Sequence, residues 1–198
     1  MPDASLQAAP TAFRRKNGRS LCLPPMRVGI ALGSNLGDRL DFLRAARQRL
    51  TSLHDHAAPF LCSKVYETRP IGCPENSPPF LNAAIELSST TPPIDILQKL
   101  LAIESELGRP NDHSHHAPRT LDLDLLYCDN LTLSLNSLTL PHQRISQRLF
   151  VLMPLCDICP ERILPGHSEN IRVLRDALIF SSNSKDISLF ALNFYPDI

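Results

Sequence analysis

The spacing of apolar residues changes period several times along the chain. In residues 27–33, RVGIALG, Val28, Ile30 and Leu32 alternate with small or polar neighbours, which predicts a strand. The stretch GSNLGD follows as a turn, with Asn35 or Asp38 placed to cap a helix. Leu40, Leu43, Leu50 and Leu53 then recur at helical spacing. Residues 61–68, LCSKVYET, predict a second strand, and a proline-rich loop, RPIGCPENSPP, leads out of it. In FLNAAIELSS, Leu81, Ala83, Ile85 and Leu87 share one side of a third strand. Thr91-Pro92-Pro93 opens a second helix through Leu97, Leu100, Leu101 and Leu107, and Gly108 ends it. After the loop RPNDHSHHAP, the segment LDLDLLY predicts a fourth strand. Two shorter helical stretches remain, LFVLMPL after Arg148 and IRVLRDALIF further on.

The order β-α-β-β-α-β predicts an α+β protein with a ferredoxin-like antiparallel sheet. Its helices are expected on one face, leaving the other for ligands. One domain is expected over residues 26–181. Residues 1–25 are expected to form a disordered extension, and residues 182–198 a C-terminal tail of uncertain order. Met26 directly precedes the first strand, which favours an extension or an early start codon over a transit peptide.

Composition narrows the classes of function. The 198 residues carry 20 Lys and Arg against 20 Asp and Glu, so the basic excess of a nucleic-acid binder is absent. No apolar run reaches the length needed to span a bilayer, and no membrane partner is expected. Six scattered cysteines without an export signal fit reduced thiols in the cytoplasm. Cys156 and Cys159 form a C-x-x-C pair, but no second pair completes a zinc site.

The segment PRTLDLDLL concentrates the candidate chemistry. On a strand, Asp122 and Asp124 share one face while Leu121, Leu123 and Leu125 share the other. Their Cα atoms would lie about 6.5–7 Å apart. Carboxylates at that spacing can converge on two magnesium ions about 3.5–4 Å apart. The same D-x-D spacing also suits a plain solvated strand face. Arg119 nearby favours the metal reading, because a guanidinium can hold phosphate while carboxylates hold metal. An RNA-binding module on the same fold would need a basic sheet face with exposed aromatics, and the two aspartates oppose that.

With these residues in view, the sequence resembles the 6-hydroxymethyl-7,8-dihydropterin pyrophosphokinase family. The blocks that carry the resemblance are IALGSNLGDR, YETRPIG, FLNAAIEL, IESELGR, APRTLDLDLL and LPHQRISQRLFVLMPL, in order between Arg27 and Pro165. The resemblance implies transfer of pyrophosphate from ATP to the hydroxymethyl group of a pterin, with release of AMP, in folate biosynthesis. ATP would be the co-substrate and two Mg2+ ions the cofactor, held by Asp122 and Asp124. Arg109 and Arg119 would serve catalysis, and Glu104, Arg109, His142 and Arg148 would bind ATP. Thr68, Ile71, Gly72, Phe80, Asn82 and Phe150 would hold the pterin. Asparagine can present a donor and an acceptor to its amide-like edge, while the two phenylalanines stack on its faces. A monomer is expected. Two departures stand out: the loop PNDHSHHA lacks the further basic residues and the tryptophan often found there, and Gln143 replaces a frequent aromatic.

Overall fold

Met26–Ser34 forms β1, and its alternation sorts side chains to two faces of a sheet. Val28, Ile30 and Leu32 enter one apolar cluster, while Ala31 lies against a second. The computed structural model describes residues 24–70, 78–108, 118–181 and 187–194. Residues 1–23 of the expected extension, together with Ile71, Gly72 and Arg109, lie outside them.

Helix α1, Arg39–Leu50, starts at Asp38, whose carboxylate accepts the Asp41 N–H at 3.1 Å. Gly37 precedes that cap at φ +68°, a conformation glycine adopts without strain. Residues 61–68 form two strands, β2 (Leu61–Cys62) and β3 (Val65–Thr68). Ser63 separates them, because its hydroxyl accepts the Ala84 N–H at 2.8 Å in place of a backbone carbonyl. β4 spans Phe80–Ser89, as its alternation predicts. Helix α2, Pro93–Glu106, has proline in its first turn, and Gly108 follows it at φ +88°. β5 covers Asp122–Cys128.

Downstream lie a short hairpin, β6 (Leu133–Ser134) and β7 (Thr139–Leu140), and helices α3 (Leu149–Ile158) and α4 (Ile171–Ser181). The last strand, β8, covers Ile187–Ala191. Among the described residues the main sheet runs β5-β1-β4-β3-β8, with β2 also on β4, and the neighbouring strands pair antiparallel. β8 lies in the stretch expected to form a C-terminal tail of uncertain order. It pairs along β3, and Phe194 beyond it is fully buried.

The structure differs from the expectation that all helices pack on one face of the sheet. Helices cover both faces of the sheet, not one. Leu43, Ala46 and Leu50 of α1 and Ile96, Leu100 and Ile103 of α2 join the cluster that holds Val28, Ile30 and Leu32. Val151, Leu152 and Leu155 of α3 and Ile171 of α4 instead meet Ala84, Leu126 and Tyr127 on the opposite face. LFVLMPL is apolar all round, so its pattern marks burial without saying which face it covers. The end of this second face that carries Gly33, Phe80, Asn82, Asp122 and Asp124 holds the candidate site.

Candidate active site

Asp122 and Asp124 extend from β5 between the buried Leu121, Leu123 and Leu125, so the strand alternation places both carboxylates on the α3 side. Their register partners on β1 are Gly33 and Ala31, two small residues that leave space beside them. A Cβ at Gly33 would sit 3.7 Å from both Asn82 Oδ1 and Asp122 Cβ, and 3.9 Å from Phe80 Cδ1. Three sequence-predicted site residues therefore converge over a glycine floor.

Each aspartate meets an arginine. Arg119 Nη1 lies 2.9 Å from Asp122 Oδ1, and Arg148 Nη1 lies 3.2 Å from Asp124 Oδ2. The aspartate side chains remain 29% and 36% exposed, so both pairs are open to solvent on one side. Arg148 stands at the amino end of α3, where the helix dipole adds positive potential. Its guanidinium also lies over the Phe150 ring, 5.5 Å from the centroid. Burial lowers the Arg148 pKa, with the Asp124 carboxylate opposing the change.

His142 follows Pro141 and is anchored by its N–H to the Leu126 carbonyl of β5 at 2.8 Å. Its Nδ1 lies 3.2 Å from the Arg144 backbone N–H, which assigns the proton of the neutral ring to Nε2. Burial pushes the imidazole below its ordinary value, while Asp124 pulls the other way. Asp124 and His142 together line a cavity of about 300 Å³, with Leu97, Leu123, Leu138 and Thr139 among its walls. That is the lower end of the range for small-molecule sites. The β6–β7 hairpin supplies much of this wall and was missed by the sequence reading. Its signal was present in LTLSLNSLTL, an alternation turning at Asn136-Ser137.

On the other flank, Asn82 Nδ2 donates to Thr68 Oγ1 at 2.8 Å, and both residues are buried. That bond fixes the amide so that its oxygen faces the space above Gly33. Glu104, expected among the nucleotide contacts, joins α2 to β5. It is 3% exposed, and its Oε1 accepts the Leu123 N–H at 2.6 Å, so α2 braces β5 between the two aspartates. Ile71, Gly72 and Arg109 lie outside the described residues. The C-x-x-C pair stands apart from this constellation. Burial pushes the Cys159 thiol up to about 11 and raises Cys156 as well.

Comparison with known proteins bears on the family and the fold. Residues 29–160 match the family model described as 7,8-dihydro-6-hydroxymethylpterin-pyrophosphokinase (HPPK). The chain is 42% identical over 134 residues to a 2-amino-4-hydroxy-6-hydroxymethyldihydropteridine pyrophosphokinase of Bacillus subtilis, covering 67% of this chain and 77% of the relative. It is 39% identical over 139 residues to the like-named protein of Pseudomonas aeruginosa, covering 70% of this chain and 84% of the relative. The fold is similar to that of Plasmodium falciparum HPPK-DHPS wild type, solved with pterin and p-hydroxybenzoate, at a TM-score of 0.65 and 15% identity. That likeness covers 86% of this chain but spans only 47% of the Plasmodium chain.

Proposed function

The chain belongs to the 7,8-dihydro-6-hydroxymethylpterin-pyrophosphokinase family, and from that premise we propose how its own residues carry out the family's reaction. The reaction moves the β- and γ-phosphates of ATP as a unit to the hydroxymethyl oxygen of 6-hydroxymethyl-7,8-dihydropterin and releases AMP. The observation that carries the residue assignment is the convergence of Asp122, Asn82 and Phe80 over Gly33, beside the cavity at Asp124 and His142.

The flat heterocycle lies over Gly33, between the Phe80 and Phe150 rings. Asn82 and Thr68, already joined to each other, read its polar edge, and Ile71 and Gly72 are assigned to the pterin by family position alone. The nucleoside part of ATP enters the cavity walled by the β6–β7 hairpin, and its phosphates run past His142 toward the aspartates. His142 donates from Nε2 to a phosphate oxygen. Arg119 and Arg148 neutralise the carboxylates in the free protein and turn toward phosphate oxygens when ATP enters. Arg109 joins them by family position. Glu104 joins the nucleotide side by family position and also braces β5 through the Leu123 N–H.

The donor set fits magnesium. It offers hard carboxylate oxygens on one strand face, open on one side to water and phosphate. Among the described residues no larger cluster of metal-ligating side chains occurs, so ATP oxygens and water would complete the coordination. Two Mg2+ ions at Asp122 and Asp124 would supply charge neutralisation across the phosphates. Catalysis by the chain itself then consists of orientation and electrostatic stabilisation.

We also read the arrangement as ferredoxin-like, supported by the strand order β5-β1-β4-β3 with antiparallel neighbours. No helix among the described residues is long and apolar enough to cross a membrane. A cytoplasmic monomer is the form this reading adopts. Incubation with ATP, Mg2+ and the hydroxymethyl pterin tests the function: AMP and a diphosphorylated pterin should form in equal amounts. ADP as the product would contradict it.

A further inference from the structure

We propose that Asn35 is a positioning residue that sets Arg119 for the transfer step, an inference that rests on the pyrophosphokinase reading above. Asn35 directly follows β1 and is 1% exposed. Its Oδ1 accepts the Arg119 N–H at 2.8 Å, and its own N–H donates to the Arg119 carbonyl at 3.1 Å. Arg119 lies three residues before β5, outside the sheet ladder, so its backbone depends on this clamp for those bonds. The Asn35 Nδ2 donates in turn to the Pro78 carbonyl at 3.3 Å, two residues before Phe80.

One amide thus joins the end of β1 to the segment carrying Arg119 and to the segment leading into Phe80 and Asn82. The site needs an acceptor on one side and a donor on the other, and asparagine presents both at this length. Aspartate keeps the acceptor but sets an oxygen against the Pro78 carbonyl. Alanine removes both bonds. With its backbone held to β1, Arg119 reaches Asp122 at 2.9 Å from a fixed base. Loss of the clamp lets that base shift, and a displacement of about 1 Å can cost about 100-fold in rate.

A double-mutant cycle in the full chain tests this, with AMP release measured at saturating ATP and pterin. Asn35→Ala is expected to lower kcat about 100-fold in the native background. In the Arg119→Ala background the same change is expected to cost less than about threefold, because the group it positions is gone. Asn35→Asp retains the Arg119 bond and is expected to keep kcat within about fivefold of wild type. Losses that multiply across the cycle, or a folded Asn35→Asp variant as slow as the alanine variant is expected to be, would overturn the inference. Circular dichroism verifies the fold of each variant. If Asn35→Ala does not fold, the rate of Asn35→Asp decides. A wild-type chain that releases no AMP would overturn the pyrophosphokinase reading, and this inference with it. An active wild type with multiplied losses would overturn this inference alone.

Discussion

Arg148 and Asp124 reach each other from different elements, the guanidinium at the amino end of α3 and the carboxylate on β5, with Nη1 3.2 Å from Oδ2. Arg119 and Asp122 repeat the relationship within one segment at 2.9 Å. Two carboxylates on one strand face would otherwise repel in the absence of metal. The arginines offset that repulsion, and in the proposed function an incoming triphosphate takes them over.

The Gly33 floor gives a direct test of the slot. A methyl group there would make ordinary contacts at 3.7–3.9 Å, so Gly33→Ala should fold with a stability change under about 1 kcal/mol. It should nevertheless raise the KM for the pterin by roughly tenfold or more, since about 1.4 kcal/mol of lost binding suffices. Steady-state kinetics with each substrate varied in turn checks this, and an unchanged pterin KM would move the slot elsewhere.

Behind the site, Glu86 is 3% exposed and collects several partners. It accepts from Arg27 Nε at 2.9 Å, from Arg162 at 2.8 Å and from the Tyr127 hydroxyl at 2.6 Å. Tyr127 lies flush on Gly29, where a Cβ would fall 2.3 Å from its ring. Glu86→Ala strands two arginines and should cost about 3–5 kcal/mol in urea unfolding. The variant that remains folded should turn over normally per molecule. A cost under about 1 kcal/mol would show the cluster to be dispensable.

His142 carries a pH signature. Burial lowers its pKa from the ordinary 6.5, so the folded protein holds it neutral where the unfolded chain would protonate. Its contribution to stability is therefore full above pH 6.5 and is lost as the pH falls below that value. Imidazole NMR should give a midpoint below 6.5, and Asp124→Asn, which removes the opposing charge, should lower it further. A rise on that substitution would contradict the electrostatic account.

The C-x-x-C pair should be chemically quiet. The raised thiol pKa values of Cys156 and Cys159 leave little thiolate at pH 8. Iodoacetamide labelling followed by peptide mass spectrometry should find both about tenfold or more slower in the native protein than after unfolding. Rapid native labelling or a native disulfide between them would revive a redox role.

Much of this molecule was legible in its sequence because the deciding signals are local. Alternation set β1, β4 and β5, proline and glycine bounded α2, and D-x-D on a strand placed both aspartates on one face. Other features depend on contacts between distant segments. The break between β2 and β3 arises because Ser63 bonds to Ala84 across the sheet. β8 is five residues long and gains its place by pairing with β3. Glu104 looks like any solvated glutamate until α2 lies against β5. The bonds of Asn35 exist only where two loops meet.

In the proposed function, Asp122 and Asp124 hold the magnesium that binds the phosphates of ATP. Magnesium-dependent AMP release by Asp124→Ala, measured against wild type at matched ATP and pterin, tests it most directly. That variant should bind nucleotide weakly and turn over at least about 1,000-fold more slowly, on the scale of lost transition-state charge stabilisation. A folded Asp124→Ala variant that works within about tenfold of wild type would contradict it.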